Sequence, residues 1–120
     1  MSGRIQEAVA ELHRLPGVKG AAVITMDGLI AASSLDEVFA GDVLAGLASY
    51  LQMTTNRCLE AAGMGPSAYL VLHATHGKAT LTRLEESCLV VLFDQFADPS
   101  QTRREVQEAA GRIRRASRIA

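Results

Sequence analysis

The chain has no tryptophan, only 4% aromatic residues, two cysteines and a formal net charge of −1. Two cysteines do not make a disulfide framework. Cys58 and Cys88 fall in apolar-periodic segments, where a free thiol packs as a small hydrophobe, so both are read as reduced, buried thiols; a disulfide between them is the alternative. The near-neutral balance supplies no global attraction to nucleic acid or to an anionic membrane. No apolar run approaches the roughly 18 residues of a membrane span, and no apolar core of a signal peptide is present. A cytoplasmic protein without membrane insertion is expected. Linkers, repeats and low-complexity stretches are missing too, so the 120 residues are read as one domain, 1–120. That length buries roughly two-thirds of the unfolded surface without a metal or disulfide staple.

The residues of catalysis are equally thin. His73 and His76 stand three apart, but a metal site takes three or four ligands, and no further His or Cys has suitable spacing. Ser33, Ser34 and Ser49 have no neighbouring base and acid in the sequence and no nucleophile-elbow motif. Glu85 and Glu86 sit in a turn. Gly63-Met64-Gly65-Pro66 follows a helix and precedes a strand, whereas phosphate loops open a helix after a strand; it is read as a helix C-cap. The expectation is a non-enzyme with no catalytic residue, metal or cofactor.

What is present is a strong fold pattern. Ile5, Ala8, Val9 and Leu12 recur at helical spacing, and Pro16-Gly17 ends a first helix over about Gly3 to Leu15. Ala21 to Thr25 and Leu29 to Ala32 read as strands joined by Asp27-Gly28, a dipeptide favoured where a two-residue turn needs positive φ at both positions. Asp36 is placed as the cap of a long second helix. Val43, Leu44, Leu47, Tyr50, Leu51, Thr54, Cys58 and Leu59 are assigned to its core face. Ala68 to Thr75, Lys78 to Leu84 and Cys88 to Phe93 form a meander. A last helix begins near Pro99 and buries Val106, Ala109, Ala110 and Ile113.

Ala21 to Ile24 and Leu89 to Phe93 are apolar without alternation, as strands covered on both faces must be. Making them neighbours gives an α+β sandwich: a five-stranded antiparallel sheet in order 2-1-5-4-3, the second helix on one face and the other two on the opposite face. The third strand, Tyr69, Leu70, Val71, Leu72 and His73, then lies on an edge with no proline and no inward charge. Such an edge pairs with something. A two-fold copy of the same strand is the economical partner, and cover by a loop or helix of the same chain is the alternative. On the second helix the side opposite the assigned core carries Ala45, Ala48, Ser49, Gln52, Met53, Asn56 and Glu60, small and poor in charge for a solvated face. Ala45, Ser49, Gln52, Met53 and Asn56 are therefore expected to bind a partner protein, or else to pack only against the dimer mate.

Arg103, Arg104, Arg112, Arg114, Arg115 and Arg118 supply half of the twelve basic residues. Positive charge near a helix C-terminus complements the macrodipole. An acidic partner is the sharper reading; nucleic acid is not expected, since no aromatics interleave.

The lead-in Leu15-Pro16-Gly17-Val18-Lys19-Gly20, the hairpin Met26-Asp27-Gly28 and the strand Leu89-Val90-Val91-Leu92-Phe93, in this order, resemble the roadblock/dynein light-chain family over about Ile5 to Ile113. The resemblance implies a profilin-like sandwich and a homodimer formed through the strand after the second helix. It also implies a partner: eukaryotic members are dynein light chains or scaffolds for Ras-like GTPases, and bacterial ones are similar to gliding-motility regulators that pair with a small Ras-like GTPase. The chain looks like the bacterial type, and a non-catalytic, homodimeric GTPase regulator or scaffold is expected. The alternative is a small-ligand sensor or general interaction module, with a cavity under the second helix.

Overall fold

Helical spacing turns Ala8, Val9 and Leu12 to the buried side of the first helix, α1 (Ser2–His13), with Ile5 packed alongside. The computed structural model describes residues 2–119. After α1 come strands β1 (Val18–Thr25) and β2 (Ile30–Leu35), helix α2 (Gly41–Ala61), strands β3 (Tyr69–Ala74), β4 (Gly77–Arg83) and β5 (Ser87–Asp94), a 3₁₀ turn over Pro99–Thr102, and helix α3 (Arg103–Ile119).

All neighbouring strands are antiparallel, in the expected order β2-β1-β5-β4-β3. β1 and β5 are the buried centre: Ala21, Ala22, Val23 and Ile24 are each at most 3% exposed, and Leu89, Val90 and Val91 at most 2%. The register lays Ala22, Val90, Leu81 and Leu70 in one row across the sheet beneath α2, and Ala21, Val91, Thr80 and Val71 in the row beneath α1 and α3.

Two local expectations are corrected. The first hairpin is a three-residue loop: Gly28 N–H donates to the Thr25 carbonyl and Thr25 N–H to the Leu29 carbonyl. Only Gly28 has positive φ, 84°. Asp27 keeps ordinary φ because a turn followed by one left-handed residue already reverses the chain. Asp36 does not cap α2, which starts five residues later behind Ala40, without a side-chain cap; the Asp36 carboxylate is held by His13 instead. The reading of Gly63 is upheld. Met64 N–H reaches the Leu59 carbonyl and Gly63 N–H the Glu60 carbonyl, with Gly63 at φ 76°, a Schellman ending.

The larger correction concerns which way α2 faces. Ala45, Ala48 and Gln52, assigned outward, are its buried residues, while Val43, Leu47 and Tyr50, assigned inward, are 57%, 63% and 65% exposed. Thr54 and Cys58, also assigned inward, are exposed. The inner face must be small because the helix crosses the β1–β2 hairpin closely: a Cβ built on Gly28 would sit 3.7 Å from Ser49 Cβ and 3.8 Å from the Ala45 carbonyl oxygen. Two of the polar residues flanking it bond to neighbouring backbone. Ser49 Oγ donates to the Met26 carbonyl at 2.7 Å, and Asn56 Oδ1 accepts from Ser67 N–H at 2.8 Å.

Candidate functional site: an open sheet edge beside an apolar helix

β3 occupies one edge of the sheet with its outward backbone unpaired among the described residues. Alternation sends Leu70 and Leu72 to the α2 side, where both stay half-buried, and leaves Val71 and His73 exposed. Tyr69 is half-buried under the Arg103 guanidinium, 4.4 Å from its ring centroid, a cation–π contact that fixes the start of the strand against α3. The opposite edge is covered at its middle. There the Gln6 side chain of α1 donates to the Ser33 carbonyl at 2.7 Å and accepts from Ser33 N–H at 3.4 Å, standing in for a neighbouring strand.

Beside the open edge, Val43, Leu47 and Tyr50 stand at spacings of four and three, one outward stripe of α2. Half-buried Leu44 and Leu51 connect it to the cluster that contains Leu70 and Leu72. The exposed apolar surface of α2 is therefore this stripe, while Leu70 and Leu72 of the edge strand pack against the same buried cluster. It differs from the expected docking face: Ala45 and Gln52 are beneath the helix, Ser49 and Asn56 are half-buried and hydrogen-bonded inward, and of the five residues Met53 alone is widely exposed, at 46%.

The structure also gathers groups that are remote in sequence. His13 Nδ1 lies 2.7 Å from Ser34 Oγ and His13 Nε2 lies 2.7 Å from Asp36 Oδ1. Ser34 and Asp36 share a face by strand alternation, which was the only signal in the sequence. The trio engages both ring nitrogens and fastens the end of α1 to β2. His73 and His76 are exposed, and among the described residues no group of three or more His, Cys, Asp or Glu side chains is placed to hold a metal ion. Cys58 is exposed and Cys88 buried, both as free thiols, which corrects the expectation for Cys58; burial pushes the Cys88 thiol up to about 12.

The arginine-rich helix is largely engaged within the chain. Arg103 covers Tyr69, Arg112 pairs with Glu11 at 3.0 Å, Arg114 donates to the Arg83 carbonyl and Arg118 pairs with Glu85. The hydrogen bond and charge of Arg118 hold the Glu85 carboxyl below its ordinary range. Among the described residues no helix is long and apolar enough to cross a membrane.

Comparison with known proteins agrees with this architecture. The chain is 29% identical over 110 residues to an uncharacterised protein of Methanocaldococcus jannaschii, covering 92% of this chain and 96% of that one. Myxococcus xanthus MglB superposes with a TM-score of 0.92 at 14% identity, over 98% of this chain and 90% of that chain. Acanthamoeba castellanii profilin IB superposes at 0.56 with 19% identity, over 93% and 98% of the two chains, so the sandwich is profilin-like. The sequence profile of the Roadblock/LC7 domain matches residues 4–93, from α1 through the last strand, and the chain belongs to the Roadblock/LC7 family.

Proposed function

We propose that the protein is a non-catalytic homodimeric regulator or scaffold, working in the cytoplasm, that binds a small Ras-like GTPase and biases its nucleotide cycle or its location. The observations that carry this reading are the open β3 edge and the exposed apolar stripe of α2. Tyr69 to His73 pair antiparallel with the same residues of a second copy, so main-chain hydrogen bonds extend one sheet through both subunits. The two α2 helices then lie side by side. Burying Leu47 and Tyr50 there adds side-chain area to the strand pairing, toward the roughly 1,000 Å² that a specific interface needs.

What remains exposed on the paired helices, Met53 foremost, forms the platform for the GTPase. A protein with no chemistry of its own shifts a two-state partner only by binding one state better than the other, so preference for one nucleotide form is the property to measure. Arg57 is the only arginine on α2, and it is not assigned to the phosphates.

Light scattering comes first: twice the chain mass is expected at micromolar concentration, and a monomer overturns the edge-pairing step. Pull-down of the cognate GTPase in its GTP and GDP forms comes second. Capture of one form at least tenfold over the other is expected, and no capture of either overturns the GTPase assignment while leaving the dimer standing.

A further inference from the structure

Beneath the C-terminal half of α2, away from β3, lies a cavity of about 470 Å³, within the range of small-ligand sites. Ile24 and Cys88, both buried in the core beneath α2, line its depth, and Met26, Met53 and Pro66 its mouth. No β3 residue contributes to it, so it is separate from the edge and from the proposed dimer contact.

Three polar side chains on the lining keep unused hydrogen-bonding capacity, with Arg57 donating only to Met53 Sδ at 4.0 Å. Gln52 is only 8% exposed, and its buried Oε1 has no hydrogen-bond partner. A buried carbonyl in that condition carries its full desolvation penalty until a donor reaches it. Arg57 from α2 and Arg83 from β4 line the same cavity and make no ion pair among the described residues. The carboxylates at the cavity do not neutralise them: Glu85 is engaged by Arg118, which leaves Glu60 against two guanidinium groups.

An apolar interior, one buried amide oxygen without a partner and two guanidinium groups outside any ion pair are the complement of one kind of molecule. We propose that this cavity binds an amphipathic organic anion, its apolar body against Ile24 and Cys88, its carboxylate or phosphate between Arg57 and Arg83, and a hydroxyl or amine N–H donating to Gln52. Guanidinium suits this role because its planar fork pairs bidentately with either oxyanion. The Cys88 thiol, pushed up to about 12 by burial, stays protonated at neutral pH, so the ligand is held without a covalent bond. The site requires neither the dimer nor the GTPase.

The test uses the full chain and four probes: 6-hydroxy-2-naphthoate; 2-naphthyl phosphate; 2-naphthoate, which lacks the hydroxyl; and the uncharged 6-(hydroxymethyl)-2-naphthol. Titration by ¹H–¹⁵N NMR is expected to give saturable shifts at the Gln52 side-chain amide and the Cys88 backbone with the hydroxynaphthoate, at an affinity at least tenfold above that for the uncharged probe. The phosphate arm distinguishes the two headgroups; saturable binding by either supports the site. Joint substitution Arg57→Gln and Arg83→Gln, both at exposed positions, is expected to remove that tenfold preference and leave the uncharged probe unaffected. Gln52→Leu is expected to equalise hydroxynaphthoate and naphthoate. No saturable shift with any anionic probe, or equal affinity of the wild-type chain for charged and uncharged probes, overturns the proposal.

Discussion

The two edges of the sheet are built from similar lengths of strand and treated oppositely. At the β2 edge, α1 sends Gln6 to both backbone groups of Ser33, and His13 locks onto Ser34 and Asp36. At the β3 edge, no further strand pairs among the described residues. The two faces divide the same way. α1 and α3 seal theirs with Val9, Val106, Ala110 and Ile113, each at most 1% exposed, whereas α2 leaves Leu44, Leu51, Leu70 and Leu72 only half-covered. Where a side-chain amide takes a strand residue's N–H and C=O, as Gln6 does at Ser33, another chain cannot pair at that residue, whereas a strand whose groups are free can recruit one. Cover at one end and exposure at the other mark the β2 end as structural and the β3 end as the place to seek partners.

The most damaging challenge to this contrast is Leu70→Lys with Leu72→Lys. Charge on the half-buried α2 side of β3 is expected to abolish self-association outright, giving a monomer or insoluble protein by light scattering; an intact dimer would place the interface elsewhere. Next comes a matched pair of truncations on the two faces. Ile113→Ala on the sealed face is expected to cost about 2–5 kcal/mol in denaturant unfolding. Leu47→Ala on the outer side of α2 is expected to change the intrinsic stability of the subunit by no more than about 0.5 kcal/mol, with its effect appearing in association instead. Equal costs would erase the distinction between the faces.

The cysteines sharpen the contrast chemically. Cys58 lies on the outer side of α2 and Cys88 inside the sandwich, so a thiol reagent is expected to modify Cys58 in the native chain and Cys88 only on unfolding. Modification of Cys58 should be slower in the dimer than in the Leu70→Lys, Leu72→Lys monomer. Because burial raises the Cys88 thiol from 9.0 to about 12, the unfolded chain ionises first. Stability from this group is therefore complete below pH 9 and declines as pH rises toward 12, at up to about 1.4 kcal/mol per pH unit. Cys88→Ala should flatten that alkaline decline relative to wild type. The smallest effect is at the covered edge: Gln6→Ala is expected to cost about 0.5–1 kcal/mol and to raise aggregation on heating, since it uncovers Ser33. No change in aggregation would mean that the rest of α1 suffices to guard β2.

Much of the architecture was legible in the residues. The unalternating runs at Ala21 to Ile24 and Leu89 to Phe93 require cover on both faces, which makes them central, and the short connections then leave one order for the remaining strands. The first and last helices were equally readable, because their apolar residues form one stripe against charged flanks. α2 was not. Nearly its whole circumference is apolar or small, so a period of 3.6 fits two opposite stripes, Val43-Leu47-Tyr50 and Ala45-Ala48-Gln52, and hydrophobicity favours the wrong one. The partners of Ser49 and Asn56 are backbone groups 23 and 11 residues away, which no local pattern reveals. The set His13, Ser34 and Asp36 and the cavity around Gln52 were hidden for the same reason.

The sequence by itself thus determined the strand order and the position of β3 at an edge, since burial of apolar strands is imposed residue by residue along the chain. Only the tertiary structure decided which side of α2 faces outward, that β2 is covered at its middle while β3 is open, and that Gln52, Arg57 and Arg83 converge. Each of those depends on how closely two surfaces approach in space, and that distance is set by packing among residues far apart in the chain.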